Sequence, residues 1–204
     1  MAKRISGAAL CLLLAGCSFF PRAGDARDLD LAVVLAVDAG EEYTVTALTS
    51  AGQETPARCL SASGETVARA VEALRAVPRG GQVSLHHVAR LIVSTDAASA
   101  LGEITDLWAR DPELRLGMEV YFTAGRAGEM LERAAEEDRD LSSELALMKK
   151  TFSLRSTALG RAAALLQERG NCTLVCIGWE GGPEPAGEVL LFADGRADVR
   201  ETGP

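Results

Sequence analysis

The chain has 204 residues, with 29 acidic against 21 basic side chains and a formal net charge of −8. That balance disfavours nucleic acid as a partner, because such binding rests on Lys and Arg neutralising phosphates, and it disfavours adsorption to anionic lipid through a basic surface. The length suits one large or two small domains and lets the chain bury roughly 70% of its unfolded surface, so disulfide staples are not required.

The first feature in chain order is MAKRISGAALCLLLAGCSFF, in which Lys3 and Arg4 precede an uncharged apolar run over residues 5–15. That run is well short of the roughly 20 residues that span a bilayer, and its length and flanks suit the apolar core of a secretory signal. Its end, Leu14-Ala15-Gly16-Cys17, resembles the lipobox of bacterial lipoproteins. That resemblance implies cleavage before Cys17 and attachment of a covalent diacylglycerol to its thiol, with palmitate-type chains. Two acyl chains anchor stably where one is marginal. The expected division is a signal peptide over residues 1–16, the lipidated cysteine and a tether over 17–28, and a folded domain over 29–204. Losing Lys3 and Arg4 takes the mature chain from −8 to −10, which leaves the lipid to do the anchoring on the outer face of a bacterial cytoplasmic membrane. Residues 18–27, fully extended, reach roughly 33 Å at about 3.3 Å per residue, so the domain is expected to stand close to that membrane.

Residues 31–37 (LAVVLAV) predict a buried strand, 38–40 a turn, and 43–48 (YTVTAL) the second strand of a β-hairpin. Val67, Val71 and Leu74 fall at helical spacing within residues 64–77, with Pro78 and Gly80-Gly81 as the stop. Residues 88–94 predict a strand. Thr95 or Asp96 is the expected cap of a following helix whose Leu101, Ile104, Leu107 and Trp108 share a face, ended by Asp111-Pro112. Residues 118–123 predict another strand and 126–135 a short helix with Met130, Leu131 and Ala134 facing inward. Leu141, Leu145, Met148 and Phe152 form one further helical stripe, and Leu159, Ala162, Ala163 and Leu166 another, expected to be core rather than ligand contacts. Residues 169–171 stop that helix. Residues 173–177 and 189–193 predict the last strands, across a Gly- and Pro-rich loop at 181–187. The pattern is that of an α/β fold with α+β character: a mixed β-sheet with several packed helices in a single domain.

Both histidines lie in VSLHHVARLIVS, residues 83–94. If the chain is extended from Leu85, His86 and His87 point to opposite faces, and no third histidine or cysteine pair completes a metal site. One is then expected to bond backbone at the polar end of the sheet and the other to be exposed. There is no Gly-x-Ser-x-Gly elbow and no Ser-x-x-Lys, nor a Walker A loop or Gly-x-Gly-x-x-Gly. Glu41-Glu42 and the acidic run at 136–138 read as solvated faces. Cys172 and Cys176, four apart on a strand, stand roughly 13 Å from each other, beyond disulfide reach. With Cys59 they read as buried thiols acting as small hydrophobes. The residues thus describe a lipid-anchored extracytoplasmic domain without a catalytic signature, expected to be no enzyme and to carry no cofactor besides the lipid on Cys17.

The stretch at residues 86–132, HHVARLIVSTDAASALGEITDLWARDPELRLGMEVYFTAGRAGEMLE, resembles the Ger(x)C family, the lipoprotein C subunits of spore germinant receptors. His87 matches the family's histidine before a strand, and Leu91-Ile92-Val93 that strand. Arg110, Asp111 and Arg115 match its charged turn, and Gly125 and Ala127 the opening of its next helix. Upstream, ARDLDLAVVLAVDAGEEYTVTAL is similar to the family's first hairpin; downstream, GEVLLFADGRADV looks like the strand pair closing its N-terminal domain. The resemblance implies a non-catalytic subunit acting in nutrient-triggered germination with two membrane-embedded partners, the receptor's A and B subunits, at the spore inner membrane. It also implies that His87 marks the start of a core strand and that Arg110, Asp111 and Arg115 brace a helix-to-strand turn by ion pairing. The family's further C-terminal domains are expected to be absent here. Two other classes fit the residues alone: an extracytoplasmic solute-binding lipoprotein, which needs a cleft between lobes, and a surface hydrolase, which needs a triad assembled in space.

Overall fold

The computed structural model describes residues 29–50, 56–77 and 82–201. The signal, the lipobox with Cys17 and the tether therefore lie outside the described residues. So do the proposed helix stop at Pro78 and Gly80-Gly81.

The chain opens with β1 (Leu29–Ala39), β2 (Tyr43–Thr49) and β3 (Cys59–Gly64), followed by α1 (Val67–Arg75), β4 (Gln82–Ser84) and β5 (Arg90–Ser94). A 3-10 turn over Thr95–Ala100 leads into α2 (Leu101–Arg110), then β6 (Glu119–Thr123), α3 (Ala127–Glu136) and α4 (Leu141–Thr151). The two-residue β7 (Thr157–Ala158), α5 (Leu159–Arg169), β8 (Asn171–Trp179), β9 (Pro183–Phe192) and β10 (Ala197–Glu201) complete it. One sheet runs in the order β10-β9-β8-β6-β5-β1-β2-β3, with β4 beside β1 and β7 beside β6. Its centre is parallel, since β1 pairs with β5, β5 with β6 and β6 with β8 in that sense, while both wings are antiparallel. The mixed sheet with packed helices is the fold class the pattern predicts.

The continuous apolar runs follow from this arrangement, because a central parallel strand is covered on both faces. Leu35, Val37, Leu91, Val93, Val120 and Phe122 face one cluster, built with α1, α2 and α5. Val34, Ala36, Ile92 and Tyr121 face a second, built with α3 and α4. Each helix contributes one apolar stripe: Val67, Ala70, Val71 and Leu74 on α1; Leu101, Ile104 and Trp108 on α2; Met130, Leu131 and Ala134 on α3. Trp108 further donates its indole N–H to Met118 Sδ at 2.9 Å, which satisfies the polar edge of a buried ring.

Several local expectations are corrected. β3 (CLSASG) is a strand the apolar pattern does not announce, because its outward positions are serines. Ser61 and Ser63 sit opposite Thr46 and Thr44 at 2.9 Å each, a hydroxyl ladder that closes the polar face of this edge strand. The helix expected from residue 64 starts at Val67, with Thr66 capping Arg69 N through its hydroxyl. Gly64 cannot be helical surface: a Cβ there would meet Ala70 N at 2.6 Å. Neither Thr95 nor Asp96 caps a helix, since both lie inside the 3-10 turn. Phe152 leaves the core stripe and is 57% exposed beyond the end of α4. Residues 183–187 belong to β9 rather than to a loop. Pro183 and Pro185 are tolerated there because β10 pairs only with residues 187–191, so this part of the strand needs no second ladder.

Candidate functional site

In open α/β sheets ligands gather at the carboxyl ends of the parallel strands, and Asp38, Ser94 and Thr123 are the buried polar side chains at the ends of β1, β5 and β6. Asp38 is 3% exposed. Its Oδ1 accepts from Ala127 N at 2.7 Å and its Oδ2 from Gly128 N at 2.8 Å. The start of a helix presents unpaired N–H groups and a partial positive charge, a ready anion site. Here the chain's own carboxylate fills it. Gly128 has to be glycine for that approach, because a Cβ would stand 3.0 Å from Thr46 Oγ1 and 3.1 Å from Asp38 Oδ2. Arg126 supplies no side-chain cap, so Asp38 caps α3 from 89 positions earlier in the chain. This explains the Gly125-x-Ala127 opening, whose partner Asp38 falls in the sequence within an expected turn over residues 38–40. An acidic residue closing an otherwise apolar run was the available signal.

A second polar concentration lies at the amino edge. Glu119, the first residue of β6, accepts hydrogen bonds from Lys149 Nζ, from Ser156 Oγ at 2.6 Å and from Tyr121 OH at 3.2 Å. Arg90, its register partner on β5, places Nε 3.7 Å from Glu119 Oε2 and donates to Ser142 Oγ. Burial works to raise the Glu119 pKa, but hydrogen bonds from Lys149 and Ser156 and the nearby cations outweigh it and hold the carboxyl below its ordinary range. Burial, with the Glu119 charge second, pushes the Tyr121 phenol up to about 12. Arg90, Glu119, Lys149 and Lys150 border an open cavity of about 420 Å³ beneath α4. Chemically the group is a clamp of two cations on one carboxylate, joining α4 to the first residues of β5 and β6.

The residues singled out in the sequence distribute around this same edge. His86 and His87, expected to alternate on an extended strand, sit in a turn instead, since β5 begins only at Arg90. Both are exposed, and His86 Nε2 is 3.9 Å from Glu113 Oε1. His87 therefore precedes the core strand by a turn rather than opening it. Among the described residues no group of three or more His, Cys, Asp or Glu could hold a metal ion. The charged turn is not braced within itself. Asp111 pairs with Arg75 of α1 at 2.7 Å, and Arg75 also reaches Glu113 at 3.3 Å. The hydrogen bond from Arg75 holds the Asp111 carboxyl below the usual range. Arg110 points outward toward Asp106 at 3.9 Å, and Arg115 is exposed and in no ion pair among the described residues. Arg75 is the partner that sequence order hides. The three thiols outside the signal and lipobox are free, Cys172 and Cys176 buried on one face of β8 and Cys59 half-buried. Burial pushes Cys172 up to about 11, and burial with Glu132 and Glu136 pushes Cys59 to about 12.

No curated protein and no solved structure matches the chain. A family model described as the spore germination protein N-terminal domain matches residues 25–177. That span runs from just before β1 to two residues short of the end of β8, and holds both the Asp38 cap and the whole amino-edge cluster.

Proposed function

Because this chain belongs to the spore germination protein N-terminal domain family, we propose that it is a non-catalytic lipoprotein subunit of a nutrient-germinant receptor complex. It works at the spore inner membrane with two membrane-embedded partner subunits, held there by diacylglycerol on Cys17. The family match over three-quarters of the chain is the observation that carries the reading. The Leu14-Ala15-Gly16-Cys17 lipobox supports the anchor.

Deleting the gene should abolish or strongly slow nutrient-triggered release of spore dipicolinate. The intact chain should restore it, and the Cys17→Ala chain should not. Unchanged nutrient germination in a strain lacking this gene and its paralogues would overturn the proposal. Solubilised spore membranes should also yield the two membrane-embedded subunits with an affinity-tagged copy of the chain.

A further inference from the structure

The two ends of the sheet are built differently. β10 carries Asp198, Arg200 and Glu201, and charge on an edge strand discourages further pairing. β3, at the other end, reads Cys-Leu-Ser-Ala-Ser-Gly and pairs with β2 in an unbroken register. It holds none of the charges, prolines or bulges that blunt an edge. The register shows which of its backbone groups are open. Thr49 N donates to Arg58 O at 2.9 Å, one position before β3 begins. Hydrogen-bonded and non-hydrogen-bonded pairs alternate along an antiparallel ladder. Leu60, Ala62 and Gly64 therefore turn their N–H and C=O toward β2, while Cys59, Ser61 and Ser63 turn theirs away from it. The side chains agree, because non-hydrogen-bonded partners stand closer, and the Ser61 and Ser63 hydroxyls come within 2.9 Å of those of Thr46 and Thr44. Among the described residues, none bonds the backbone of Cys59, Ser61 or Ser63 from the outer side.

The surroundings of this edge select what can pair with it. On one face Leu60 and Ala62 stay half-buried against the cluster built with α1, which leaves apolar surface for a neighbour. On the other face Cys59 packs against the cluster built with α3, whose Glu132 and Glu136 stand one helical turn apart. Both carboxylates are exposed and in no ion pair among the described residues, and after burial they are what pushes the Cys59 thiol up. The cations beside the edge are already engaged, Arg58 with Asp30 at 2.8 Å and Arg69 with Glu72 at 2.9 Å. The open edge is thus negative on its α3 side. Strand addition takes affinity from main-chain bonds and selectivity from alternate side chains. We propose that β3 is a docking edge for an extended basic segment of a partner protein, which adds as a further strand along Cys59, Ser61 and Ser63 and sets Lys or Arg against Glu132 and Glu136. A second copy of β3 would match the hydrogen bonds, but a two-fold pairing brings another Glu132 and Glu136 to the same face, and like charges oppose it. The inference does not depend on the anchor at Cys17; it adds an interaction surface to the subunit reading.

The test adds a blocked octapeptide of alternating Lys and Val to the full chain in non-ionic detergent and reads amide hydrogen exchange residue by residue. In the free chain the amides of Cys59, Ser61 and Ser63 should exchange about tenfold or more faster than those of Leu60 and Ala62, and the peptide should slow the three by a similar factor. Glu132→Gln with Glu136→Gln, both on the helix surface, should weaken peptide binding about threefold per carboxylate. An octapeptide of alternating Glu and Val should give no protection. Ser61→Pro removes an outward donor while leaving the β2 ladder intact, and should abolish protection at Cys59 and Ser63; the glutamine variants keep the test open should that chain fail to fold. Three amides already slow in the free chain show an edge closed by the chain itself and overturn the proposal. Fast exchange that persists in excess Lys-Val peptide overturns it as well. Equal protection by both peptides overturns the basic partner, and protection that rises with protein concentration alone marks a second copy and overturns it likewise.

Discussion

Asp38 shows how much one side chain can settle. Its two oxygens satisfy two N–H groups at the start of α3, while the residue itself follows the fully buried run Val34 to Val37 of β1. Asp38→Ala leaves both donors unpaired in a dry site, and should cost about 2 kcal/mol in urea unfolding, from the range for lost caps and orphaned buried donors. Asp38→Asn keeps one acceptor oxygen and should cost less. Gly128→Ala forces a methyl group against Thr46 and Asp38 and should also destabilise, whereas Gly125→Ala, with open space around its Cα, should not by crowding. The thiols behave as core atoms. Burial holds Cys172 and Cys176 in the protonated form, and Cys59 is raised to about 12. An alkylating reagent at pH 8 should therefore leave all three unmodified until denaturant is added; rapid labelling of Cys172 in the folded chain would contradict its packing.

At the scale of elements, the clamp between α4 and the sheet is a matter of charge and so of pH. Glu119 and Asp111 both have folded pKa values depressed below their ordinary range. Their contribution to stability is complete above the unfolded carboxylate value of about 4 and is lost as pH falls through the depressed folded values. The urea midpoint should be level from neutral pH down to about pH 5 and fall below about pH 4. Glu119→Gln should lower stability at pH 7 and flatten that acid slope. The turn after α4 offers the opposite change. Ser153 holds a left-handed φ of 51, and Ser153→Gly should stabilise by about 0.5 kcal/mol. The apolar periods made most of these elements legible: the stripes on α1, α2 and α3 and the twin runs of the first hairpin are where the spacing put them. What stayed hidden depends on partners distant in sequence. β3 is a strand because Ser61 and Ser63 meet Thr46 and Thr44 on β2, and Asp111 is held by Arg75 of another helix. His86 and His87 sit in a turn because β5 starts at Arg90, two residues later than the apolar run from Val88 suggests.

Across the whole molecule, the matched family span stops at Ile177, yet the sheet does not. β9 pairs with β8 along its length, and Val189 and Leu191 of β9 are fully or almost fully buried in the larger core cluster. A chain ended at Ile177 should consequently be insoluble or lose cooperative unfolding, and recovery of a soluble, cooperatively unfolding product would show that β9 and β10 are dispensable. The fold class and the germination family were both legible in the sequence, through continuous apolar runs and through the central block at residues 86–132. The amino edge as a unit was not, because it gathers Arg90 of β5, Glu119 of β6, Ser142 and Lys149 of α4 and Ser156, which are far apart in sequence. That edge is also where force would enter. β1 is bonded on one side to β2 and on the other to β4 and then β5, from its first residues onward. A pull on the segment before Leu29 runs along the strand axis, so both ladders are loaded in shear with many bonds sharing the strain, rather than peeled open one at a time. Under the proposed anchor on Cys17, the domain would be held through a strand that is paired on both sides.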